Sequence, residues 1–185
     1  KTMIPLAGPA NKQGRICADN ITGNHVPYKG TMGTSVAQVF DLTAAAVGLN
    51  EKALKAAGKQ KGHDYETVLI SQKSHAGYYP GATPITLKLI FGRDGSIYGA
   101  QIIGQDGVDK RIDTIAVTMR LKGTVNDLAE LELAYAPPYS SAKDPVNMLG
   151  FTAQNVLEGF VSFIEYNEMD FLMADQSKKD TYTIL

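Results

Sequence analysis

Cysteine occurs once in these 185 residues, at position 17, so no internal disulfide can form. A single thiol fits a reducing compartment, and the chain is expected to be cytoplasmic. Histidine occurs three times, at 25, 63 and 75, without metal-ligand spacing, so no metal site is expected. No Gly-x-Gly-x-x-Gly follows a strand pattern, which removes a dinucleotide-binding half. P-loop, His-Glu-x-x-His and Cys-x-x-Cys motifs are missing too. The formal net charge is -1 and Lys and Arg form no dense stripe, which argues against nucleic acid as a partner. No apolar run is long enough to span a bilayer. Lys1-Thr2-Met3 leads into a Pro/Gly-rich segment, unlike a signal peptide.

What remains is an ordinary globular composition, 44% hydrophobic and 20% charged, of a length that suits one domain and a fragment of another. Both ends look cut: residue 1 is not Met, and the apolar Tyr182-Thr-Ile-Leu185 has nothing after it to pair with.

Local patterns give an element order. Residues 10–21 read as a helix, with Pro9 near its start and Gly23 past its end. Cys17 lies inside it among small and apolar neighbours, which reads as a buried and therefore inert thiol. Ser35 with Gln38 has the form of a capping box, and Val36, Val39, Phe40, Ala44 and Val47 fall on one helical face, predicting a helix over 33–47. Its small side chains Ala37, Ala44, Ala45 and Ala46 suit close packing in the core or against a second subunit. Asn50 caps a short helix that ends near Gly58.

The period then changes. Residues 65–72 read as a strand, Ile85, Leu87, Leu89 and Phe91 alternate with polar residues, and Arg93-Asp-Gly-Ser96 turns the chain into a return strand over 97–103. Helical spacing resumes at Val108, Ile112, Ile115, Ala116 and Met119, and Thr124 with Asp127 opens a short helix. Asp144 and Pro145 start a helix over 145–159. The fold class is α+β, an antiparallel sheet backed by helices. Residues 163–171 read as a linker and an edge strand.

The stretch Ala134-Tyr-Ala-Pro-Pro-Tyr-Ser-Ser-Ala-Lys-Asp-Pro-Val-Asn-Met148 is the most informative. Proline fixes φ and pushes the preceding residue out of the helical region, so 135–139 is expected to be stiff and extended. Tyr135, Tyr139, Ser140, Ser141 and Lys143 then stand on a rigid loop, where binding groups often lie.

This stretch resembles the C-terminal domain of the flavin-dependent pyridine nucleotide-disulfide oxidoreductases, nearest to the coenzyme A-disulfide reductase and NADH oxidase branch. Three further segments agree in order: Ile4-Pro-Leu-Ala-Gly-Pro-Ala-Asn-Lys-Gln-Gly-Arg15, Gly33-Thr-Ser-Val-Ala-Gln-Val-Phe-Asp-Leu-Thr43 and His75-Ala-Gly-Tyr-Tyr-Pro-Gly81. The resemblance implies a homodimer-forming interface domain over 33–160. It implies a remnant of a flavin-binding domain over 1–32, and a linker and the opening of a rhodanese-like domain over 161–185. The reactive cysteine of such enzymes belongs to the flavin domain, and Cys17 does not match it.

The implied site is built across two subunits. Tyr135 matches a tyrosine beside the flavin and the reactive sulfur, and Tyr79 a second such tyrosine, with Tyr78 one residue away. Asn11 and Lys143 match positions that contact coenzyme A, with Lys12 and Arg15 further candidates by charge. Pro5, Ala7 and Gly8 would lie near the flavin ring. FAD and NAD(P)H serve the full-length protein, while this piece alone would bind neither and be inactive. The activity implied is reduction of coenzyme A disulfide or a persulfide. The alternatives are the same domain of an NADH oxidase or peroxidase, or a non-catalytic dimerisation module when isolated.

Overall fold

The computed structural model describes residues 3–164 and 166–174. Helix α1 (Ala7–Ile21) leads through an irregular segment to strands β1 (Ser35–Val39) and β2 (Leu42–Gly48). Helix α2 (Glu51–Ala56), strands β3 (Tyr65–Lys73), β4 (Pro84–Gly92) and β5 (Ile97–Gly104), and helices α3 (Val108–Arg120), α4 (Val125–Glu130), α5 (Pro145–Leu157) and α6 (Tyr166–Ala174) follow. The five strands form one sheet in the order β1-β2-β5-β4-β3, and every pair is antiparallel. This is the α+β arrangement expected.

Alternation along the strands separates two faces. Val47, Val68, Leu87, Leu89, Phe91, Ala100 and Ile102 turn to one side, where Ile112 and Ile115 of α3, Leu128 of α4 and Val146, Leu149 and Ala153 of α5 complete the main core. On the other side α2 covers only one end, through a small cluster of Leu54, Tyr65, Ile90 and Tyr98. Glu51 of α2 also pairs there with Lys88. Among the described residues, that face beyond α2 is open as a shallow groove of about 450 Å³, lined by Ala37, Ala44, Ala46, Leu69, Thr86 and Ile103 among others.

Several boundaries follow from local chemistry. Asn50 Oδ1 accepts from Ala53 N at 2.8 Å to start α2. Thr124 and Asp127 form the expected capping box of α4, and Asp144 caps α5 with Pro145 in its first turn. Helix α1 begins three residues earlier than Ala10, because Pro9 fits a first turn whose amides need no helical partner.

The helix expected over 33–47 is instead the β1–β2 hairpin. Helix propensity of the alanines is a weak preference, and β2 gains a six-residue ladder along β5, from Thr43↔Gly104 to Gly48↔Gly99. Ala45 is buried in the main core, and α3 packs against β2 there. Gly48 and Gly99 allow the closest approach: a Cβ on Gly48, at φ +75°, would lie 2.3 Å from Tyr98 O, and one on Gly99 2.2 Å from Leu49 O. Gln38 does not cap anything; its amide donates to Phe40 O at 3.2 Å. Phe40 occupies the hairpin tip with φ +53° and is 93% exposed. The linker and edge strand expected over 163–171 is also corrected, since Tyr166–Ala174 is helical. That segment is rich in Glu, Met and Leu, which favour helix. The terminal apolar run 182–185 lies outside the described residues.

Candidate functional site at the two tyrosine loops

Two loops meet at one end of the sheet. The first, 74–83, joins β3 to β4. Ser74 N donates to Thr83 O at 2.8 Å and Tyr79 N to Ala76 O at 2.9 Å, which closes its base and makes a tight turn. The second, 131–144, joins α4 to α5. It is not extended between its tyrosines: Tyr139 N reaches Ala136 O at 2.9 Å, so Pro137 and Pro138 stiffen a turn that folds the chain back. Ala76 N donates to Ser140 O at 2.9 Å, which ties the loops together. The Tyr78 and Tyr135 hydroxyls are 2.9 Å apart.

Tyr135 is therefore paired with Tyr78. The Tyr79 and His75 rings make a T-shaped contact, with ring centroids 5.9 Å apart. All three tyrosines are exposed. The Tyr78 hydrogen bond, followed by partial desolvation, raises the Tyr135 phenol above its ordinary pKa and favours the protonated form. Both hydroxyls can donate and accept.

A buried ionic cluster underlies the loops. Arg111 of α3 is 1% exposed. Its Nε and one terminal nitrogen reach the two Asp144 carboxylate oxygens at 3.1 and 2.9 Å. That terminal nitrogen also donates to Ser74 O at 2.8 Å, and the other to Gly107 O at 3.1 Å. The Ser140 hydroxyl donates to Asp144. Burial pushes the Asp144 carboxyl up, but hydrogen bonds from Arg111, Ser140 and Val146 N and the guanidinium charge outweigh it and hold it below the usual range. Neighbouring Lys110 donates to Tyr139 O at 2.7 Å. Desolvation first, and then the Arg111 charge, lower its ammonium from the ordinary value.

No motif in the sequence marks Arg111, although its position is informative. It falls three residues after Val108 and four before Ile115, on the buried side of α3. A charge on an otherwise apolar helical face needs a buried partner.

Lys143 is exposed, directly before the Asp144 cap. Asn11 lies on α1, a separate element that shares a groove of about 720 Å³ with residues 26–34 and the second half of α3. Lys12 and Arg15 line the same groove. Cys17 is exposed, contrary to the buried thiol expected, because no residue of α1 is buried. Among the described residues, no group of three His, Cys, Asp or Glu side chains could hold a metal ion, and no helix is long and apolar enough to cross a membrane.

Residues 34–145 match the family described as pyridine nucleotide-disulphide oxidoreductase, dimerisation domain. The chain belongs to this family of oxidoreductases, as its dimerisation domain. It is 40% identical to a coenzyme A disulfide reductase of Staphylococcus epidermidis over 82% of this chain and 34% of that protein. The structure is similar to that of reduced Bacillus anthracis CoADR-RHD, with a TM-score of 0.89 and 56% identity over 95% of this chain and 31% of that one. It is also similar to an NAD-dependent persulfide reductase from A. fulgidus, with a TM-score of 0.84 and 40% identity over 91% of this chain and 31% of that one. The chain thus spans about a third of the length of the curated relatives it matches.

Proposed function

We propose that the chain is the interface domain of a homodimeric, flavin- and NAD(P)H-dependent reductase of coenzyme A disulfide or a related persulfide. On this reading residues 1–32 close the flavin domain, 33–160 form the interface domain, and 161–185 lead toward a rhodanese-like domain. The observation that carries the proposal is the outward-facing Tyr78–Tyr135 pair, held on two interlocked loops. Its support from outside the chain is the similarity to a coenzyme A disulfide reductase and a persulfide reductase.

The described residues offer no glycine-rich cradle for a dinucleotide, but they do offer a hydroxyl edge that could meet a cofactor and a disulfide held by another subunit. A bound flavin would supply the electron pair taken from the nicotinamide. Tyr135, protonated at neutral pH, donates a hydrogen bond to the sulfur that leaves as the S–S bond breaks. Disulfide exchange speeds up as the leaving thiolate is stabilised. The complete reduction uses two electrons and two protons and yields two thiols from a disulfide, or one thiol and hydrogen sulfide from a persulfide. Tyr78 keeps the Tyr135 hydroxyl in place, and Tyr79 lines the same loop. Lys143 and Asn11 would hold the anionic groups of the substrate.

In the full-length flavoprotein, Tyr135→Phe should slow disulfide reduction about 10- to 100-fold while NADH reduces the flavin at the normal rate. Stopped-flow absorbance resolves the two steps. Equal disulfide rates in mutant and wild type would remove Tyr135 from the mechanism.

A further inference from the structure

We propose that Arg111 is a positioning residue, a buried clamp that sets the geometry of the Tyr78–Tyr135 pair. The inference rests on the function proposed above for what that pair does, but not for how it is held.

The two tyrosines stand on exposed loops of different parts of the chain, 57 residues apart. One hydroxyl contact in water cannot order two loops by itself, because ordering each residue opposes it. The order comes from beneath. Ser74, four residues before Tyr78, gives its carbonyl to Arg111, and Asp144, nine residues after Tyr135, gives both carboxylate oxygens. Ser140 lies between the two: its hydroxyl donates to Asp144 and its carbonyl accepts from Ala76 N. A single guanidinium thus fastens the base of each tyrosine loop.

The clamp needs a planar fork. Arg111 uses Nε and both terminal nitrogens in three directions at once, which a lysine ammonium on a flexible stem cannot reproduce. The start of α3 is shaped to the same group. Gly107, at φ +70°, caps that helix, and a Cβ there would sit 2.3 Å from an Arg111 terminal nitrogen. Arg111 is too deeply buried to meet a substrate, so its influence on chemistry passes through the loops.

The test uses the full-length flavoprotein. Arg111→Met alone would leave Asp144 buried and unpaired, so it is made together with Asp144→Asn, which removes both charges and retains a good helix cap. Arg111→Lys is the second variant and keeps the charge. Two readings are taken: disulfide reduction against flavin reduction by NADH, and the titration of Tyr135 followed by NMR of ring-labelled tyrosine. The proposal expects disulfide reduction to fall at least about tenfold in both variants with flavin reduction unchanged. It also expects the Tyr135 titration to return toward that of a free phenol. If both variants keep the wild-type rate and the wild-type Tyr135 titration, the clamp is purely structural and the proposal is overturned. If the titration moves but Tyr135→Phe itself costs no rate, the clamp stands and the role proposed for the tyrosines fails.

Discussion

Gly150→Ala is expected to destabilise the chain by about 3 kcal/mol, a fall in Tm of about 6–12 °C. Gly150 lies where α5 crosses α4 with the two backbones in contact. An added Cβ would sit 2.4 Å from Ala129 N, 2.8 Å from its Cα and 2.9 Å from Val125 O. These are backbone atoms, so no rotamer change relieves the clash and one helix must move. Val146, Leu149 and Ala153 travel with α5, and all three belong to the main core. Thermal unfolding of the variant beside wild type reads the effect. A loss of under about 2 °C would mean that the helices separate with little cost.

Asp144→Ala should cost about as much or more, about 3–5 kcal/mol, because it leaves a guanidinium buried without its counter-charge. It also removes the N-cap that receives Val146 N at 2.9 Å. The pH dependence has a definite sign. The carboxyl has a lower pKa folded than unfolded, so it contributes stability above the unfolded value of about 3.9. That contribution is lost as pH falls through the lower folded value. The deficit of Asp144→Ala relative to wild type should therefore be constant at neutral pH and shrink in acid, below about pH 4. Urea unfolding at both ends of that range measures it. An equal deficit at neutral and strongly acidic pH would show that the charge of Asp144 is not what matters.

Much of the scaffold was legible because its signals were local and consistent. The alternation of Ile85, Leu87, Leu89 and Phe91 places β4, the Asp94-Gly95 turn fixes its return, and the Asn50, Thr124 and Asp144 caps start three helices. The hairpin at 35–48 is hidden in the sequence because alanine and the Ser35/Gln38 spacing favour helix locally, while the ladder to β5 is a contact more than fifty residues away. Small neighbours imply burial only where a surface packs closely over them, and no residue of α1, Cys17 included, is buried in this chain. The proline loop announced its stiffness, but not that it doubles back at Tyr139. That Tyr78 rather than Tyr79 meets the Tyr135 hydroxyl depends on the path of the turn after Ala76, which two adjacent identical residues do not reveal.

The naked helix α1 has a consequence on the clock of amide hydrogen exchange. Within this chain α1 has no buried side chain and only Pro9, Ile16 and Asp19 half-buried, and a helix of fifteen residues held so lightly is marginal in water. When these 185 residues are studied on their own, its amides should trade protons for deuterons nearly as fast as an open chain. Those of β4, flanked on both sides and buried along most of its length, wait for global opening. Within one polypeptide, labelling would run from seconds at one end to the lifetime of the native state at the centre.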